Sequence, residues 1–148
     1  MLRLTLAALL SFTCSVNALS SQECKCHAPE SGATTRAGYF EDITVGDEIP
    51  HKTLRGVAHL SDTDEPLEGV LVELFTVSER LSEKPRRVKV CVTEADGRFC
   101  FTGIPKGRYE LRASKEGGFE IIHMKVIVDP KNPQSTDKKI DVTIEPGK

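Results

Sequence analysis

Tryptophan is absent from these 148 residues, and tyrosine occurs only at Tyr39 and Tyr109. A surface that stacks sugar rings on exposed aromatics would have to use the six phenylalanines, and the strand pattern sends most of those inward. No excess of charge exists either: 20 Lys and Arg stand against 22 Asp and Glu, for a net charge of −2. Such a chain has no long-range attraction for nucleic acid or an anionic membrane. The one dense basic cluster, Arg86-Arg87-Val88-Lys89, reads as a solvated loop beside a strand. Long apolar runs are missing, so no segment is expected to insert into a bilayer. Gly-x-Ser-x-Gly, His-Glu-x-x-His and phosphate-loop patterns are missing too.

What the chain does have begins with a short apolar run. Arg3 supplies a positive start, residues 4–12 are apolar apart from Thr5 and Ser11, and Val16-Asn17-Ala18 is a small-x-small site. That order predicts a signal peptide over residues 1–18 and a secreted product, extracellular or periplasmic. Its removal leaves 130 residues, enough for one core, and makes the charge −3. Residues 19–50 are rich in Ser, Gly, Pro and Thr with little periodicity, and predict an irregular N-terminal arm with at most a short strand over 39–44. Residues 51–148 form the expected domain.

From Thr53 onward the alternation is regular. Strands are expected at 53–60, 69–77, 87–93, 98–102, 108–114, 119–128 and 139–145. Turn residues separate them: Asp64-Glu65-Pro66, Ala95-Asp96-Gly97, Pro105-Lys106-Gly107, Glu116-Gly117-Gly118 and Asp129-Pro130. The fold class is therefore all-β, a seven-stranded antiparallel Greek-key-like β-sandwich with an irregular arm. Expected inward residues are Val70, Val72 and Leu74; Val88, Val90 and Val92; Phe99 and Phe101; Tyr109, Leu111 and Ala113; and Ile140, Val142 and Ile144. Strand 119–128 is apolar on both faces.

The stretches Leu54-Arg55-Gly56-Val57-Ala58, Pro66-Leu67-Glu68-Gly69-Val70, Ala95-Asp96-Gly97-Arg98-Phe99-Cys100-Phe101 and Ile104-Pro105-Lys106-Gly107-Arg108-Tyr109 resemble the carboxypeptidase regulatory-like domain. That resemblance, over residues 53–145, implies a transthyretin-like sandwich close in architecture to the B-type repeats of collagen adhesins. It also implies a mostly non-catalytic module. The Tyr-Arg-Gly-Ser-type tail of transthyretin-like hydrolases is missing, since the chain ends Glu145-Pro146-Gly147-Lys148. The two-Tyr, two-His iron site of intradiol dioxygenases and the Lys–Asn crosslink of the adhesin repeats also lack their residues.

Cys14 belongs to the predicted signal, leaving Cys24, Cys26, Cys91 and Cys100, an even number in an exported chain. If strands 87–93 and 98–102 form a hairpin with Val92 facing Phe99, Cys91 lies opposite Cys100 on the outer face. A bond between those two is then allowed. The favoured alternative has Cys24 and Cys26 each bonding one of them, which staples the arm to the sheet.

The expected function is an exported, non-enzymatic module with a structural or interaction role. Its partner is an unidentified extracellular protein or glycan, and no cofactor, metal or catalytic residue is expected. Leu71 and Phe75, on the face opposite Val72 and Leu74, are the candidate interaction patch. The rival reading is a metal handler or small enzyme using Cys24, Cys26 and His27. His51, His59 and His123 are read as satisfied or solvent-facing, and Asp62, Asp64 and Glu65 as turn residues.

Overall fold

The computed structural model describes residues 26–29, 43–44, 49–77 and 83–147. The predicted signal peptide, Cys24 and most of the predicted arm lie outside them. Nine strands run in chain order: β1 (Cys26–His27), β2 (Ile43–Thr44), β3 (Leu54–Leu60), β4 (Leu71–Thr76), β5 (Arg87–Thr93), β6 (Arg98–Phe101), β7 (Gly107–Ser114), β8 (Ile122–Val128) and β9 (Ile140–Ile144). All seven predicted strands are present, and two short arm strands add to them. Among the described residues no helix is long and apolar enough to cross a membrane.

Two sheets face each other. The larger has the order β1-β5-β4-β7-β8-β2, the smaller β6-β3-β9. Most pairings are antiparallel, while β3 with β9 and β2 with β8 are parallel. Alternating residues from both sheets fill the space between them. Leu54, Val72, Leu74, Leu111, Val142 and Ile144 are fully buried, each contributing about 1.5–3 kcal/mol relative to exposure. Phe99 and Phe101 sit side by side on β6 with ring centroids 6.2 Å apart. Tyr109 buries its ring and donates its hydroxyl to the carbonyl of Pro105 at 2.8 Å, so the polar tip is satisfied at the rim.

One expected pairing is corrected. β5 and β6 do not form a hairpin: β5 pairs with β4 in the large sheet, and β6 pairs with β3 in the small one. The Asp96-Gly97 turn carries the chain between layers. Gly97 has φ 65°, and a Cβ there would collide with the carbonyl of Ala58. The Ala58 N–H bonds the Gly97 carbonyl at 2.8 Å, which holds the turn against β3.

The same crossover inverts the parity expected for β5. Val72 pairs with Cys91 and Leu71 with Val92, so Cys91 and Thr93 face the core. Val90 and Val92 lie on the other face, half-buried, whereas Val88, at the irregularity where β5 shifts register against β4, packs against the core as expected. The expected position of Cys91 on the outer face, opposite Cys100, is therefore wrong. Thr93 tolerates its burial because its hydroxyl donates to the Leu67 carbonyl at 2.7 Å and accepts from the Val70 N–H at 3.0 Å.

Candidate active site on the small sheet

Every second residue of β3 points away from the core, which puts Arg55, Val57 and His59 on the outer face of the small sheet. The registers add neighbours. Arg98 of β6 and Asp141 of β9 flank Val57, and Thr143 of β9 lies beside His59. Apart from half-buried Val57, the residues on this face are polar.

The turn after β3 completes the group. The Asp64 N–H bonds the Leu60 carbonyl at 2.9 Å, and the Leu60 N–H bonds the Glu65 carbonyl at 2.9 Å. Folding back so tightly puts Asp64 at φ 58°, the one positive value outside glycine among the described residues. Aspartate is among the residues that tolerate this conformation. The result is that Asp64 Oδ1 stands 3.0 Å from His59 Nδ1.

On the other side of the ring, Thr143 Oγ1 lies 3.4 Å from His59 Nε2. Carboxylate, imidazole and hydroxyl thus lie in line. The Asp64 approach is a close charge contact without hydrogen-bond alignment, and the Thr143 contact is long. Catalytic hydrogen bonds in unliganded sites are often long or poorly aligned in this way. The tautomer with hydrogen on Nδ1 faces Asp64 with a donor and Thr143 with an acceptor, as a general base requires. Cations flank the group: Arg98 is half-exposed, with Nε 3.7 Å from Asp96, and Arg55 donates to the Asp137 carbonyl at 2.9 and 3.3 Å.

A second histidine cluster lies on the outer face of the large sheet. Glu110 Oε1 accepts from Arg112 Nε at 2.6 Å and contacts His123 Nδ1 at 2.8 Å. The Arg112 guanidinium lies 4.2 Å from the centre of the Phe75 ring. Beside them Arg87 pairs with the fully buried Glu73 at 2.8 Å. Burial alone would raise the Glu110 carboxyl, but the Arg112 and His123 contacts outweigh it and hold the group below its ordinary range. A histidine locked against an ionised carboxylate in a buried network is a structural element.

The remaining predicted residues are dispersed. His51 is buried, and its backbone joins β8 through bonds to Ile127 and Asp129. Leu71 and Phe75 are half-buried on the outer face of the large sheet. His27 is exposed on β1, whereas Cys26 packs against the core. Among the described residues no three His, Cys, Asp or Glu side chains are grouped to hold a metal. Cys24 of the Cys24-Cys26-His27 cluster lies outside them. Sequence reasoning missed the His59 group because Thr143 is 84 positions away and Asp64 had a sufficient account as a turn residue.

No family model and no curated protein matches the chain. Among solved structures it is similar to the 5-hydroxyisourate hydrolase of Klebsiella pneumoniae, at 25% identity and a TM-score of 0.46, covering 73% of this chain and 94% of that one. It is also similar to transthyretin from Sparus aurata, at 14% identity and a TM-score of 0.45, over 64% of this chain and 90% of that one. A third is an (S)-allantoin synthase, at 21% identity and a TM-score of 0.39, over 68% of this chain and 44% of that one. The architecture is an all-β sandwich of two sheets. Two of these three structures are enzymes, which runs against the expectation of a non-enzymatic chain. Missing motifs were poor grounds for it, because strands distant in sequence can assemble a site that no local pattern announces.

Proposed function

We propose that the chain is a small hydrolytic enzyme whose acid–base residue is His59. The observation that carries this reading is the line from Asp64 through His59 to Thr143, at 3.0 and 3.4 Å, on an accessible sheet face. Its scaffold is, in our reading, of the carboxypeptidase regulatory-like kind, as the Asp96-Gly97 to Tyr109 motif suggests.

The chemistry follows from the donors. A water held where His59 Nε2 and Thr143 Oγ1 converge attacks a carbonyl carbon, and its proton passes to Nε2. Asp64 stabilises the imidazolium that results. His59 then returns the proton to the leaving group as the carbon–heteroatom bond breaks. Arg98 sits one step along the same face, about 7 Å from His59 by strand geometry, and is suited to an anionic group on the substrate. The substrate class is thus a small polar ester, amide or lactam bearing a negative charge.

A panel of small anionic activated esters and lactams tests this. His59→Asn is expected to lower turnover by about 10²–10⁴-fold, the usual contribution of a general acid–base group, while the circular dichroism of the sheets stays unchanged. Thr143→Ala should lose about 10-fold if it positions the water and nearly everything if it is the nucleophile. Turnover unaffected by His59→Asn would end the proposal.

A further inference from the structure

The two short elements of the arm are the least expected part of the fold, and one of them carries a thiol into the core. β1 adds to the free edge of β5, with Cys26 opposite Thr93 and His27 opposite Val92. In this register Cys91 is the diagonal neighbour of Cys26 on the same face, two residues along β5. That face is the inner one. Cys91 is 4% exposed, and Cys26 packs against the core beside it.

Several contacts converge on this corner. The Cys26 side chain lies close enough to Cys91 to raise its thiol, and Cys26 Sγ reaches the Cys100 carbonyl at 3.8 Å. Cys100 belongs to β6, in the opposite sheet. The two thiols therefore lie where the layers part at their β5–β6 edge. Cys100 is itself disulfide-bonded, and Cys26 and Cys91 carry free thiols, so neither is its partner. A Cys91–Cys100 bond, one of the three connectivities open from the sequence, is thereby excluded in this structure.

We propose that Cys26 and Cys91 are a second disulfide site, which locks the arm onto the core and closes the gap between the sheets at that corner. Diagonal neighbours on antiparallel strands have Cα atoms about 7–8 Å apart, and most disulfides span less than about 7 Å. An approach of about an ångström is needed. A two-residue strand at a sheet edge can supply it without disturbing β4 or β7.

The chemistry is thiol–disulfide exchange with a low-molecular-weight or protein disulfide as oxidant. The Cys26 thiolate attacks one sulfur of the oxidant, forming a mixed disulfide and releasing one thiolate. The Cys91 thiolate then attacks the Cys26 sulfur, and the second thiolate leaves. Two thiols lose two protons and two electrons, and the oxidant takes up both electrons as it becomes two thiols. The order follows from access. Cys91 is enclosed, and burial, followed by the neighbouring Cys26, pushes its thiol far above its ordinary range. Cys26 is the more exposed of the two and meets the oxidant first.

Trypsin makes the pairing readable, because Lys25 separates Cys24 from Cys26 and Arg98 separates Cys91 from Cys100. Full-length protein treated with oxidised glutathione and digested without reduction should give peptide 26–36 joined to peptide 90–98. Peptide 90–98 joined to 99–106, or peptides 26–36 and 90–98 recovered with alkylated thiols, would overturn the proposal. A second measurement uses Cys26→Ala, a change at a partly exposed position. Its Tm should fall below that of the unaltered protein by on the order of 10 °C under oxidising conditions, and match it in excess reductant. Equal Tm values under oxidising conditions would also overturn it.

Discussion

The two outer faces of this sandwich carry the same kinds of side chain and hold them in opposite ways. On the large sheet His123, Glu110 and Arg112 are drawn into one network, with His123 only 7% exposed and Arg112 laid over Phe75. On the small sheet His59 meets a carboxylate that is 89% exposed and a hydroxyl at long range. Hydrogen bonds in the first group are short and the charges are satisfied, so moving a proton would break the network. In the second group the imidazole is aimed but not committed. A histidine–carboxylate pair is thus structural or reactive according to how completely its surroundings are closed, and identity alone does not distinguish the two.

Several changes would break or sharpen this contrast. The largest is the loss of turnover expected for His59→Asn, which has no counterpart on the large sheet. Glu110→Ala should do the reverse. It leaves His123 and Arg112 without their shared acceptor and should cost about 2 kcal/mol in urea unfolding, discounted for its partial exposure, while turnover per folded molecule stays the same.

Acid should separate the faces next. The Glu110 carboxyl lies below its ordinary value of 4.5 in the folded protein, so its contribution is present above pH 4.5 and is lost as pH falls through the folded value. Thermal scans across that window should show a steeper decline for the unaltered protein than for Glu110→Gln. Parallel curves would mean that the network carries no charge-dependent stability. The smallest effect on stability is expected for Asp64→Gly. Release of the left-handed strain and the greater freedom of the unfolded chain nearly offset, leaving a change within about 0.5 kcal/mol. Turnover should nevertheless fall about 10-fold, as the imidazolium loses its partner. A large stability change with unaltered turnover would make Asp64 a turn residue and nothing more.

Much of the scaffold was legible without coordinates. Alternation in Gly69-Val70-Leu71-Val72-Glu73-Leu74 marks a half-buried strand whichever partner it finds, and Asp96-Gly97 marks a reversal whichever layers it joins. The inner faces of β4, β6, β7 and β9 follow from that alternation alone. β5 resisted the same treatment. Val90 and Val92 compete with Cys91 and Thr93 for the core, and greater hydrophobicity favours the valines. Their face is itself half-covered on the outside of the large sheet, which removes the usual penalty for turning them away. The hidden hydroxyl of Thr93 is repaid by bonds to Leu67 and Val70 that no pattern in the sequence advertises.

The sequence by itself therefore determined where strands run, where the chain must turn, and which residues alternate, because these depend on contacts and torsions within a few residues. Only the tertiary structure decided which sheet each strand joins. That choice turned Cys91 inward toward Cys26, separated β5 from β6, and set Thr143 beside His59. Partner choice is a property of the whole packed core: a strand goes where both of its faces find suitable neighbours, and those neighbours come from every part of the chain. The fold was written locally, and the site was assembled at a distance.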